Sequence, residues 1–189
     1  MYTGVIEIPF IPVIEGIVII WVTVRALIAL IKREFHITYE LSQLLVLLVI
    51  CIAVRFTFFP TFREDGAVGP LLFDAYRMKE HIISLEPFYY IKKLWYGDKV
   101  NFFINEVGNV LLFIPVGIVW PSVYKKLRAF WKTLIAGAAF SAIIEICQLP
   151  FYERTTDIDD VILNTLGCAI GYTIYALVRL IMRSGERSE

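Results

Sequence analysis

"ERTTDIDDVILNTLGCAIGYTIYALVRLIM", residues 153–182, sets an arginine and three aspartates at the head of a run that soon becomes almost wholly apolar. Whether that run is a buried helix of a soluble domain or a membrane span decides the fold, and the composition of the whole chain settles the choice. Of 189 residues, 58% are hydrophobic and only 19% charged, with a mean hydropathy of +0.69, too apolar for an ordinary water-soluble domain. The chain reads as an integral membrane protein. With 18 basic and 18 acidic side chains the net charge is zero, which argues against nucleic acid or any other polyanionic partner. Cys51, Cys147 and Cys168 all fall inside apolar runs and carry neither a disulfide framework nor a zinc-ligand spacing.

A spanning helix needs about 20 mostly apolar residues. Five stretches qualify, at about 12–31, 41–60, 102–121, 130–149 and 160–181, so the expected fold is an all-α bundle of about five transmembrane helices forming a single domain over 1–189. The first span lacks a preceding basic region and a small-residue cleavage site, and is expected to stay in the mature protein. Residues 61–100 form the one long connection, rich in aromatics (Phe88, Tyr89, Tyr90, Trp95, Tyr96) that suit the membrane interface.

Orientation follows the short basic segments. Lys32 and Arg33, then Lys125, Lys126, Arg128 and Lys132, then Arg179, Arg183 and Arg187 share one side, which is expected to be cytoplasmic together with the C-terminus. The N-terminus and the acidic cluster then face outward. The 61–100 segment holds six basic and six acidic residues and gives no direction of its own.

The polar residues inside the spans collect at the outward end. At about 100° per residue, Asp157, Asp160, Asn164, Gly167 and Gly171 fall within a sector of roughly 80° on the last helix. Glycines at 167 and 171 are a small-xxx-small pair that admits a close neighbour, so this face points into the bundle. The fourth span adds Glu145 and Gln148, with Ser141 a turn back. The third carries Asn101, Asn105 and Asn109 at i, i+4, i+8 before Pro115 and Gly117 break the pattern, and the second carries Arg55. Ionisable groups at such depth are costly unless paired or hydrated, and mark a functional site by default. Arg55 and Arg154 are the expected partners of Glu145, Asp157 or Asp160.

Plainer readings stand beside this one. Thr156 followed three positions later by Asp159, or Asp157 followed by Asp160, fits an ordinary helix N-terminus whose side-chain oxygens accept from free backbone N–H groups, and capping alone accounts for Asp159, which Asn would replace, more readily than for Asp160. The asparagine stripe also fits interhelical hydrogen bonding. Arg25 reads as a side chain snorkelling inward and Glu15 as one snorkelling outward. His36 and His81 fall on opposite sides of the membrane, which removes a His-based metal site.

"NVLLFIPVGI" from Asn109, "IIEICQ" around Glu145 and Gln148, and the run from Arg154 to Gly171 resemble the VanZ-like family of small bacterial membrane proteins. The spacing E-x-x-Q, then R-x-x-D-x-x-D-x-x-x-N-x-x-G-x-x-x-G, carries the resemblance, which covers about residues 45–180. "FTFFP" at 56–60 and "SLEPF" at 84–88 are similar to further family segments. The resemblance implies a multi-pass protein of the bacterial cytoplasmic membrane with a link to the cell envelope, since the founding member is associated with teicoplanin resistance. It supplies no catalytic residue.

Three classes of function fit these residues. One is a binding protein whose outward polar pocket (Arg55, Asn105, Asn109, Glu145, Gln148, Arg154, Asp157, Asp160, Asn164) holds the head group of a membrane lipid, a cell-wall precursor lipid or a glycopeptide antibiotic. The second is a membrane enzyme acting on an envelope lipid intermediate, with Glu145 and Asp160 as catalytic candidates and a divalent cation on Asp157 and Asp160. The third is an accessory subunit whose polar groups only lock helices together.

Overall fold

The computed structural model describes residues 5–73, 83–84, 86–88, 92, 100, 103–151 and 156–185. In chain order the elements are β1 (Ile6–Ile8), α1 (Phe10–Lys32), α2 (Ile37–Phe58), β2 (Leu71–Phe73), β3 (Ile83–Ser84), a π-helical turn (Phe103–Val107) leading into α3 (Gly108–Val123), a 3-10 turn (Lys125–Leu127), α4 (Phe130–Gln148), β4 (Thr156–Asp157) and α5 (Ile158–Gly185). Among the described residues, five helical segments are long and apolar enough to cross a membrane: α1, α2, Ile104–Val123, α4 and α5. The protein is therefore an all-α membrane protein. Helices satisfy their own backbone groups, which lipid cannot do for them. The large apolar side chains they leave uncovered, such as Leu30 and Ile31 on α1 and Leu180 and Ile181 on α5, are ones lipid solvates and water does not.

The observed ends have local causes. α2 stops at Phe58 rather than 60 because Pro60 disfavours helical backbone at the residue before it, and Phe59 lies at φ −126, ψ 52. α1 closes on Arg33 at φ 53, a left-handed cap that turns the chain into α2 within a few residues.

The chain divides into two compact units. The first comprises residues 1–81 and 148–155. Here Arg25 Nε donates to Glu40 Oε2 at 2.9 Å, a second guanidinium N–H donates to Oε1, and the guanidinium lies over the Tyr39 ring. Arg25 is thus not the lone snorkelling side chain expected. The turn after α1 folds the first part of α2 back alongside it, and a paired charge in apolar surroundings costs far less than a single one. β1 pairs antiparallel with β2, Ile6 opposite Phe73 and Ile8 opposite Leu71. Edge-to-face aromatic pairs, Phe10 with Phe59 at 5.3 Å and Phe151 with both Phe58 and Phe73 at 6.0 Å, close this unit. A cavity of about 320 Å³ lies beside Trp21, Ala26, Phe35, Leu41 and Leu44, and none of the expected site residues lines it.

The second unit comprises residues 82–147 and 156–189. Its core is α3 laid along α5 at backbone contact. A Cβ at Gly167 would overlap the Val110 carbonyl, one at Gly171 the Ile114 carbonyl, and one at Gly117 the Cys168 carbonyl. Contacts that advance together along both helices mean that the two run parallel, and a side-chain bond from Asn109 to Asp160 joins residues near their starts. α3 runs on through Pro115 and Pro121, as helices buried among others can. Phe113, Val116 and Cys168 are fully buried here. α4 joins α5 where Gly137 faces the Cys168 side chain and where Tyr172 Oη donates to the Arg128 carbonyl at 2.7 Å. β3 and β4 pair in parallel, Ser84 opposite Asp157, and deliver the chain straight into α5.

Candidate functional site

The site is built at the N-terminal ends of α3 and α5, together with the C-terminal part of α4. Asp157, the last residue of β4, caps α5: its Oδ1 accepts the Asp159 N–H at 3.0 Å. The backbone N–H of Asp157 in turn donates to Glu145 Oε2 at 3.1 Å, and Thr156 Oγ1 donates to the Glu145 carbonyl at 3.1 Å. Glu145 is 4% exposed and Asp157 6%. Burial pushes the Asp157 carboxyl above the ordinary aspartate range; the Asp159 and Ile158 amides pull against that shift while the charge of Asp159 adds to it.

Asp160 Oδ1 accepts from Asn109 Nδ2 at 2.6 Å, the bond that ties the start of α5 to the start of α3. One turn deeper, Asn164 Nδ2 donates to Ser141 Oγ at 2.9 Å and so connects α5 to α4. The carboxylates of Glu106, Asp157, Asp159 and Asp160 stand near enough for their charges to act on one another, as do Glu145, Asp157 and Asp160.

Several expectations require correction. Asp159 is not the cap, because α5 begins at Ile158 and leaves Asp157 in the capping position. Asp159 is instead 1% exposed, and its Oδ1 accepts the backbone N–H of Phe88, a residue held at φ 65. Left-handed backbone at a phenylalanine is strained unless its surroundings fix it, and Asp159 is the group that does so. Asn105 does not join Asn109. The π turn between them takes one residue more per turn than an α-helix, which rotates Asn105 to an exposed position and brings Glu106 inward, 7% exposed. Arg55 pairs with no carboxylate among the described residues: it donates to the Phe59 carbonyl at the end of its own helix and lies against the rings of Phe10, Phe56 and Phe62. Gln148, 6% exposed, belongs to the first unit, where its Nε2 donates to the Thr57 carbonyl at 2.8 Å. Asn101, Arg154, His81 and the aromatics Tyr89, Tyr90, Trp95 and Tyr96 lie outside the described residues.

Glu106 is the site residue that sequence reasoning missed. Its signal was available: between Ile104 and Val123 it is the one charged side chain. Among the described residues no three or more His, Cys, Asp or Glu side chains are arranged to hold a metal ion, so Asp157 and Asp160 do not form part of a recognisable cation cage there.

Three acceptors of the site are left open. Glu106 Oε2, Asp159 Oδ2 and Asn164 Oδ1 are buried with no hydrogen-bond partner among the described residues. Each is an acceptor left without a donor, a costly state for a polar group out of water.

Comparison with known proteins places this arrangement. Residues 44–179, from near the start of α2 to most of α5, match the VanZ/LLP1 family, and every residue of the network lies within that match. Over 75 residues the chain is 35% identical to Protein VanZ of Enterococcus faecium, a stretch that makes up 40% of this chain and 46% of that protein. The chain thus spans under half the length of that relative. No solved structure matches. With a family match over well more than half its length, taking in four of the five spans, the chain belongs to the VanZ/LLP1 family.

Proposed function

We propose that this multi-pass protein sits in the bacterial cytoplasmic membrane and binds, at the outward end of α3, α4 and α5, the polar head group of an envelope lipid or of a lipid-like glycopeptide antibiotic. The observation that carries the reading is the set of buried acceptor atoms left open on Glu106, Asp159 and Asn164, three residues drawn together at one end of α3 and α5. A purely structural network has no reason to leave its deepest acceptors unmatched, because each costs about 1–3 kcal/mol relative to a satisfied one. The outward assignment rests on the Lys and Arg asymmetry of the short connections. Arg154, two positions ahead of Thr156 in the sequence, is the group offered to anionic oxygens of the head group. The link to glycopeptide resistance comes from the family resemblance.

The test is lipid retention. Full-length protein purified from bacterial membranes in mild detergent is examined by native mass spectrometry, beside Glu145→Gln and Asp160→Asn. The reading expects co-purified envelope lipid on the wild type and its loss from both variants while they remain monodisperse. Retention unchanged by both variants would leave the network as a helix lock, and the accessory role would replace this one.

A further inference from the structure

The charge balance of the site says more about its ligand than its position does. Glu106, Glu145, Asp157, Asp159 and Asp160 bring five carboxylates to one end of the second unit. The described residues contain two ion pairs, Arg25 with Glu40 and His36 with Glu34, and neither involves any of these five. The N-terminus of α5 supplies about half an elementary charge. Backbone and amide donors account for Glu145 (Asp157 N–H), Asp157 (Asp159 N–H) and Asp160 (Asn109). Among the carboxylate oxygens shut off from solvent, Glu106 Oε2 and Asp159 Oδ2 have no partner; both are on side chains more than nine-tenths buried, and the two carboxyl groups stand within range of each other's charge. A ligand group that meets these two oxygens as carboxylates must be a donor, and a cationic donor is the kind that favours their ionised form in a buried site.

We infer that Glu106 and Asp159 form the receptor for a primary ammonium group, the amine end of a zwitterionic, phosphate-bearing lipid head group. An ammonium presents three N–H donors and a compact charge, which suits a pair of carboxylate oxygens with Asn164 Oδ1 as a further acceptor in the same network. The two residues set specificity for the amine. The inference rests on the head-group reading above and names the chemistry that reading leaves open.

The experiment titrates full-length protein in detergent with three lipids of identical acyl chains: phosphatidylethanolamine, its N-acetyl derivative and phosphatidylglycerol. Native mass spectrometry reads the apparent affinities. Wild-type protein is expected to prefer the free amine by about tenfold, equivalent to about 1.4 kcal/mol. Glu106→Gln and Asp159→Asn should each bring that preference below about twofold. Arg154→Ala should weaken all three lipids alike and leave the ratio intact. Asp159→Asn keeps an oxygen for the Phe88 amide, and the N-acetyl comparison is made on unaltered protein, so misfolding of a variant does not decide the outcome.

Equal binding of all three lipids by the wild type overturns the ammonium receptor and leaves the head-group reading standing. A preference that survives both substitutions overturns the assignment to Glu106 and Asp159. Failure of every lipid to bind overturns both readings together. Free ethanolamine is the control for source: if it displaces phosphatidylethanolamine at comparable concentration, the ammonium site holds and the requirement for a lipid falls.

Discussion

Glu145 on α4 accepts the backbone N–H of Asp157 at 3.1 Å, and Asp157 in turn caps α5, so the buried acid of one helix is bonded to the residue that starts the next. The bond needs an acceptor at position 145 and not a charge. Glu145→Gln should therefore melt within about 1 kcal/mol of the wild type, since its amide oxygen still accepts. Glu145→Leu leaves a buried N–H without a partner and should lose about 1–3 kcal/mol. Thermal unfolding in detergent measures the difference, and equal melting of the two variants would show that the bond carries no stability.

The reach of sequence reasoning here followed the periods it assumed. The five spans were legible because runs of about 20 apolar residues have few uses outside a membrane. Asp160, Asn164 and the glycines of α5 were legible as one face because that helix keeps a 3.6-residue turn throughout. The same arithmetic failed on the third span, where the π turn at Phe103–Val107 adds a residue, turns Asn105 outward and brings Glu106 in. The residue types alone fit a helix start at either Thr156 or Asp157, and one residue of displacement decides that Asp157 is the cap and Asp159 is free to hold Phe88. The pair of Arg25 with Glu40 depends on how two helices fold back on each other, and the spacing of two residues fifteen apart does not reveal it. The two- and three-residue strands carry too few side chains for any periodicity to register.

Asp159 and Asp160 should now behave alike where a cap would behave differently. Asp159→Asn preserves the oxygen that holds Phe88 but removes the open carboxylate, and should lose function as fully as Asp160→Asn. Asp159→Ala also frees the strained backbone at Phe88, whose amide should then exchange with solvent at least about tenfold faster by hydrogen–deuterium exchange, a change of roughly 1.4 kcal/mol in local opening. Unchanged exchange at Phe88 would remove the restraint assigned to Asp159.

The α3–α5 contact predicts a sharp contrast among glycines. Gly167→Ala, Gly171→Ala and Gly117→Ala each drive a methyl group into a backbone carbonyl of the facing helix, a neighbour that cannot rotate away. Overpacking of this kind costs about 1–3 kcal/mol when the core can shift, and more when backbone must move. Gly16→Ala on α1 meets nothing within 4 Å and should be neutral or gain up to about 1 kcal/mol in helix propensity. Yields of monodisperse protein and melting temperatures for the four variants check the contrast.

Breaking the ion pair of the first unit should be worse than deleting it. Arg25→Leu removes the partner of the half-buried Glu40, and Glu40→Leu removes one partner of the half-buried Arg25; each should lower the melting temperature. The double variant should recover most of the loss, because two apolar residues of similar volume replace a pair whose attraction is largely offset by desolvation. A double variant less stable than either single would mean the pair contributes net stability of its own.

The N-terminal end of α5 should behave as one device. Asp160 accepts from Asn109 and Glu145 from the Asp157 amide, and the amide variants keep an oxygen for those bonds while removing the carboxylate, so lost function in a folded variant reports on the charged group and not on the helix contact. Residues acting as a unit are strongly non-additive. Glu145→Gln, Arg154→Ala and Asp160→Asn should each abolish complementation in an envelope-phenotype assay, and the Glu145/Asp160 double should be no worse than either single. A cysteine at position 155 in a cysteine-free background should react with a membrane-impermeant thiol reagent in intact cells, and one at position 122 should not, as an outward-facing site requires. If the single variants lose function by stepwise, multiplicative amounts, the residues act independently and the site is several contacts; if position 122 is the one that labels, the device faces the cytoplasm and its ligand cannot come from the outer leaflet.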